Sequence, residues 1–133
     1  MGLCSSTNIK MIANPLDDKK KQPQPQTKGA LKTMIKKYDE GKKSYKEPNT
    51  WDVTLVTDMS YLFLNMKNFN APIDQWNTSE VTNMSLMFAN ASSFNQPITM
   101  DTSKVIKMDY MFDDADAMTH PKPSLKAVSN FFF

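Results

Sequence analysis

The sequence predicts an α/β solenoid: a stack of about three strand–short helix repeats, closed at its N-terminal end by a helix and preceded by a disordered tail. Two observations carry this. Three segments align, Trp51-Asp-Val-Thr-Leu-Val-Thr-Asp-Met59, Trp76-Asn-Thr-Ser-Glu-Val-Thr-Asn-Met84 and Met100-Asp-Thr-Ser-Lys-Val-Ile-Lys-Met108, at offsets of 25 and then 24 residues. Val56, Val81 and Val105 share one column, Phe63, Phe88 and Phe112 a second, and Phe69, Phe94 and Met118 a third. A fixed period of this size marks a stacked array in which no unit buries its apolar face without its neighbours. The second observation is a change of hydrophobic period inside each copy, from a β-branched run to helical spacing. The predicted organisation is a tail and linker at 1–28, a capping helix and connection at 29–48, three repeats at 49–120, and a C-terminal tail or cap at 121–133.

The first residues, Met1-Gly2-Leu3-Cys4-Ser5-Ser6, fit the N-myristoylation pattern, with Gly2 exposed once Met1 is removed. One myristoyl chain binds a membrane only marginally, so a stable anchor needs a second signal. Cys4 supplies one as a palmitoylation candidate. Lys10, Lys19, Lys20, Lys21 and Lys28 supply another, through attraction to anionic headgroups. The net charge of +2 conceals this division: residues 1–48 hold eleven lysines against five acids, and residues 49–133 five against nine. Gln22-Pro23-Gln24-Pro25-Gln26 and the polar residues around it bury little and read as a disordered spacer. The chain lacks the roughly 20 consecutive apolar residues of a spanning helix, and its start does not read as a secretory signal.

Order is expected from about Gly29. Ala30, Leu31, Met34, Ile35 and Tyr38 follow helical spacing with Lys32, Lys36 and Lys37 opposite, and Gly41 ends the pattern. The helix is read as a cap over the first repeat, with a membrane-surface helix as the alternative. In each repeat, Leu55-Val-Thr, Glu80-Val-Thr and Lys104-Val-Ile read as strands. Met59, Leu62, Phe63 and Met66, with the columns beginning at Met84 and Met108, then read as two-turn helices whose N-caps are Ser60, Ser85 and Asp109. Val56, Met59, Phe63, Phe69, Val81, Met84, Phe88, Phe94, Val105, Met108 and Phe112 form the expected core. Trp51 and Trp76 recur with the period and read as packing aromatics, and Asn70, Asn95 and Thr119 as a hydrogen-bonded ladder between repeats.

The string Trp76-Asn-Thr-Ser-Glu-Val-Thr-Asn-Met-Ser-Leu-Met-Phe-Ala-Asn-Ala-Ser-Ser-Phe-Asn95 resembles the repeat of BspA-like leucine-rich-repeat surface proteins, over roughly residues 29–119. The resemblance implies a leucine-rich-repeat-like stack and a role in surface attachment or protein binding, without enzymatic activity.

The residues themselves argue the same way. His120 is the one histidine and Cys4 the one cysteine, and neither has a partner at a catalytic spacing. Three glycines, at positions 2, 29 and 41, build no phosphate-cradling loop. Asp113, Asp114 and Asp116 lack the glycine and distal glutamate of a calcium loop and read as a solvated face. The chain has no arginine, which speaks against base-specific nucleic-acid readout. No cofactor, metal or small-molecule substrate is expected. The expected function is a non-catalytic protein-binding module on the cytoplasmic face of a membrane, lipid-anchored and presented to an unidentified protein partner. The alternative is a soluble or exported adhesion-type repeat protein without an anchor. Leu125, Val128 and Phe131-Phe132-Phe133 either cover the last repeat or form an apolar tail for self-association or a partner.

Overall fold

A computed structural model describes residues 23–125. The acylation motif, Lys10 and the Lys19–Lys21 run lie outside that range, as does the apolar segment 126–133. Helix α1 spans Lys28–Asp39. Thr27 caps it, its hydroxyl accepting from the Ala30 N–H at 3.1 Å, and Gly41 follows its end at φ 78°, the left-handed geometry that glycine adopts most readily. Short 3₁₀ turns at Lys43–Tyr45 and Pro48–Thr50 lead into the repeats.

The repeats do stack, but not as an α/β solenoid. Neither the strands expected at Leu55, Glu80 and Lys104 nor the helices expected from Met59, Met84 and Met108 form. What remains of a sheet is one parallel bridge per interface, Asp58 to Asn83 and Asn83 to Lys107. Each strand is cut short on both sides. A turn closes before it, with Val56 N–H donating to the Val53 carbonyl at 3.0 Å, and another opens at Met59, whose carbonyl accepts from the Leu62 N–H at 3.3 Å. The equivalent turns close at Val81 and Val105, 3.0 and 3.1 Å.

The stretch read as a helix is a chain of overlapping turns. Leu62, Leu64 and Met66 donate back to Met59, Tyr61 and Phe63 within the repeat, while Met59, Tyr61, Phe63 and Asn65 donate across to Asn83, Ser85, Met87 and Ala89 at 2.8–3.0 Å. Met84, Leu86, Phe88 and Asn90 likewise donate to Lys107, Asp109, Met111 and Asp113 at 2.8–2.9 Å. The physical reason is a matter of partners. An eight-residue helix leaves its first four N–H and last four carbonyl groups unpaired and still carries the cost of nucleation. Laid flat as turns, the same residues satisfy alternate groups against the next repeat. The turns require left-handed backbone at every fourth residue, and Tyr61, Asn65, Leu86, Asn90, Tyr110 and Asp114 all have φ between 52° and 63°. The apolar residues still face one way, because a turn chain of this kind presents positions i, i+3 and i+4 to the same side.

That side is the core. Val56, Met59, Phe63, Phe69, Val81, Met84, Phe88, Phe94 and Val105 are buried, whereas Met108 and Phe112 in the last repeat are half-buried. Phe63, Phe88 and Phe112 stack face to face with centroids 5.0 and 5.2 Å apart and planes within 6°. Trp51 and Trp76 are buried in a parallel column 6.4 Å apart. The N-caps also differ from expectation. Asp58 and Asn83 accept, through Oδ1, from the Ser60 and Ser85 N–H groups at 2.9 Å, so the Asx side chains hold these turns and the serines are held. A second set recurs at Asp52, Asn77 and Asp101, each accepting from the N–H two residues on. The asparagine ladder forms between side chain and backbone: Asn70 Oδ1 accepts from the Asn95 N–H at 2.7 Å, and Asn95 Oδ1 from the Thr119 N–H at 3.0 Å.

Helix α1 covers the first repeat with Leu31, Met34 and Ile35, and Tyr38 meets Phe69 edge-on at 5.7 Å. Its lysines complete the cover. In the later repeats, carbonyls of this ladder accept from the repeat before; in the first repeat there is none before. Lys32 Nζ substitutes at one of them, donating to the Leu62 carbonyl at 3.4 Å, and donates also to the Tyr61 carbonyl at 2.6 Å, which already accepts from the Leu64 N–H.

Candidate protein-binding surface

Stacking buries the aromatic columns and leaves others outside. The most distinctive outward column is Tyr61, Leu86 and Tyr110. Tyr61 is 46% exposed and Tyr110 70%, with Leu86 half-buried between them. All three stand in left-handed backbone, at φ 63°, 52° and 54°. The other left-handed column holds Asn65, Asn90 and Asp114, residue types that tolerate this conformation through local hydrogen bonding. Asn90 Nδ2 indeed donates to Asn65 Oδ1 at 2.9 Å. Tyrosine and leucine have no such compensation, and each carries a backbone cost of about 1–2 kcal/mol there. At this column the chain exposes large apolar side chains and bears a conformational cost for doing so.

One end of the ribbon is charged. Lys28, assigned from the sequence to membrane attraction, sits with Nζ 5.6 Å over the Tyr61 ring and donates to Ser60 Oγ at 3.0 Å. It also pairs with Asp58 at 3.4 Å. Burial pushes the Asp58 carboxyl up, but the Ser60 hydroxyl and N–H, together with Lys28, outweigh it and hold Asp58 below the usual carboxylate range. Asp52 is held below it by the Thr54 hydroxyl and N–H, assisted by Gln24. Burial, with Lys28 nearby, lowers the Lys32 ammonium below its usual value. Lys28, Lys32 and Asp58 are engaged in holding the first repeat to α1, and Asp52 in its own turn and in a contact with Gln24 ahead of the helix.

Three open hollows border Tyr38, the largest about 530 Å³ and lined by Tyr38, Asp39, Gly41, Asn68, Phe69 and Asn70. The other two are lined by lysines, Glu47 and the Pro48–Thr50 turn. None brings a nucleophile to a base. Among the described residues, no group of three or more His, Cys, Asp or Glu is placed to hold a metal ion, and no helix is long and apolar enough to cross a membrane. Gly2, Cys4, Lys10, Lys19, Lys20 and Lys21 lie outside the described residues.

The sequence reading missed the Tyr61–Leu86–Tyr110 ribbon. The period places these residues in one column, but nothing in it distinguishes an outward column from an inward one. The usable signal was type: aromatic and aliphatic residues stood opposite Asn65 and Asn90, four residues on, in a turn whose left-handed positions recur every four.

Residues 30–131 match the family described as Mycoplasma protein of unknown function, DUF285. The chain belongs to the DUF285 family. The matched span takes in all but the first two residues of α1, all three repeats and most of the segment beyond them, so the match covers the whole stack and not one repeat of it. No curated protein and no solved structure matches the chain significantly.

Proposed function

We propose that this chain is a non-catalytic protein-binding module whose contact surface is the Tyr61–Leu86–Tyr110 ribbon. The observation that carries the reading is the coincidence, at Tyr61 and Tyr110 with the half-buried Leu86 between them, of an outward apolar side chain with an unfavourable backbone conformation. The fold does not need large residues there, since glycine or asparagine would serve the turn better. Tyrosine is also the residue that contributes large, rigid contact area at little entropic cost when a partner docks. The resemblance of Trp76–Asn95 to BspA-like repeats supports the same class of activity.

The proposal includes a tether. Acyl groups on Gly2 and Cys4, with Lys10, Lys19, Lys20 and Lys21 near the headgroups, hold the module at the cytoplasmic face of a membrane, and the polar linker separates it from the bilayer. The alternative is a soluble or exported surface protein without an anchor. The resemblance to surface proteins favours it, and one fractionation separates the two.

The test places a photo-reactive phenylalanine analogue at Tyr110 or Tyr61 and, as a control, at the exposed position Lys122. Specific adducts from the ribbon and none from Lys122 support the surface; equal labelling removes it. In eukaryotic cells the native chain is expected to sediment with membranes and Gly2→Ala to move to the cytosol. If both stay soluble, the anchor is not used.

A further inference from the structure

The third repeat departs from the other two mainly where it meets water. Its inward positions keep to the period, and Val105, Met108, Met111 and Phe112 continue the core columns. Elsewhere Thr57 and Thr82 give way to Ile106, and Asn65 and Asn90 to Asp114. Leu64 and Ala89 give way to Asp113, and Lys67 and Ser92 to Asp116. Ile106 and Tyr110, four residues apart, are each 70% exposed, the most exposed large apolar side chains among the described residues. A single turn joins them to the acids. The Asp113 N–H donates to the Tyr110 carbonyl at 3.2 Å, and Asp114 takes the same left-handed backbone as Tyr110, at φ 54°.

The first repeat shows what this column accepts. The Lys28 ammonium lies 5.6 Å from the centre of the Tyr61 ring while it pairs with Asp58 at 3.4 Å. A cation within about 6 Å of a ring face is attracted by the ring quadrupole, and a neighbouring carboxylate adds to that attraction. Helix α1 supplies this cation to Tyr61. Among the described residues no cation stands over Tyr110. Lys104 is paired with Glu80 at 2.9 Å, which leaves Lys107 as the one lysine of residues 100–120 outside an ion pair. Against it stand Asp109, Asp113, Asp114 and Asp116, all exposed and none in an ion pair among the described residues.

We infer that Ile106 and Tyr110 receive a basic segment of a partner protein, one that carries an aliphatic side chain beside a lysine or arginine. The cation lies over the Tyr110 ring with Asp113 and Asp114 as its counter-charges, and the aliphatic group packs on Ile106. The contact repeats in trans what Lys28 makes in cis with Tyr61 and Asp58. The same carboxylates repel acidic segments, so the charge selects the partner as well as attracting it. The inference rests on the reading of the ribbon as the contact surface and names the chemistry of what docks there.

Nuclear magnetic resonance titration of the full chain tests it. The probes are a soluble serine-rich peptide carrying leucine and lysine, and the same peptide with glutamine or glutamate in place of lysine. The lysine peptide is expected to shift the Ile106 methyl and Tyr110 ring signals and to bind at least about fivefold tighter than the glutamine peptide. The glutamate peptide is expected to leave both signals unmoved. Raised salt should narrow the lysine–glutamine difference. Asp113→Asn with Asp114→Asn, and separately Tyr110→Leu, should each reduce it too. Asparagine at 114 and leucine at 110 are residues these columns already hold, at Asn90 and Leu86. Equal binding of the lysine and glutamine peptides at Ile106 and Tyr110 overturns the inference and leaves the ribbon as a contact surface, which the Lys122 cross-linking control decides separately. Shifts that fall elsewhere, or none with any peptide, overturn it as well. Movement of the Tyr110 signals with protein concentration alone overturns it by giving the site to a second copy.

Discussion

Ser60 and Ser85 occupy one column in successive repeats, yet their hydroxyls have opposite circumstances. Ser60 Oγ donates to Asp58 Oδ1 at 2.7 Å and accepts from Lys28, whereas Ser85 Oγ is the one buried side-chain polar atom among the described residues without a partner. Ser60→Ala should therefore destabilise by about 1 kcal/mol and Ser85→Ala should be neutral or stabilising, measured by urea unfolding at neutral pH. The first cost depends on pH. Folding depresses the Asp58 pKa, so the stability it contributes is fully present above the unfolded value of about 4 and is lost as pH falls through the folded pKa. The Ser60→Ala penalty should accordingly shrink on acidification below about pH 4. Tyr110 allows a test of the ribbon. Glycine relieves the left-handed backbone and, at a residue 70% exposed, gives up little packing. Tyr110→Gly should leave the midpoint of unfolding unchanged or raised while abolishing ribbon-specific cross-links; a fall of several kcal/mol would mean that Tyr110 serves the fold.

Helix α1 was legible from the sequence because a local rule governs it: an apolar stripe at helical spacing ends in a glycine that takes the left-handed conformation. The repeat elements were not legible, because their backbone partners lie about 24 residues away. The positions Met84, Met87, Phe88 and Ala91 suit a two-turn helix and a turn chain equally well, and only the neighbouring repeat decides between them. The β-branched run at Val81-Thr82 likewise reads as a strand until the turns on either side reduce it to a single bridge. The Asx positions Asp58 and Asn83 carried the decisive hint, since such side chains stabilise turns better than helix interiors. The cap also makes a prediction at this scale. Lys32→Met keeps the stem that lies along α1 but removes the donors to the Tyr61 and Leu62 carbonyls. It should lower stability by about 1 kcal/mol and speed amide exchange in the first repeat more than in the third.

A stack this short behaves as one cooperative unit, since each repeat has at most two neighbours. Phe88 lies between Phe63 and Phe112 and is wholly buried. Phe88→Ala should cost about 4 kcal/mol, enough to unfold a core of this size. Phe112→Ala, at the half-buried end, should cost less than half as much. Circular dichroism melts of the two variants distinguish a shared core from independent repeats, which would give equal losses. The columns of this core were readable from the period. The outward ribbon was not, because a repeat records which positions are kept alike and is silent on which of them meet water.

The direction of the cross-repeat hydrogen bonds has an electrostatic consequence. At each interface four N–H groups point toward the later repeat and one or two point back. The peptide dipoles therefore add along the stack axis, as they do along a helix, with partial negative charge at the carbonyl end and partial positive charge at the N–H end. Some of the ionised side chains follow that field. Lys28 and Lys32 sit at the carbonyl end under α1, and Asp109, Asp113, Asp114 and Asp116 belong to the last repeat, where the N–H groups point outward. An acidic run that forms no metal site among the described residues thus lies at the end of the stack where carboxylates oppose the backbone dipole.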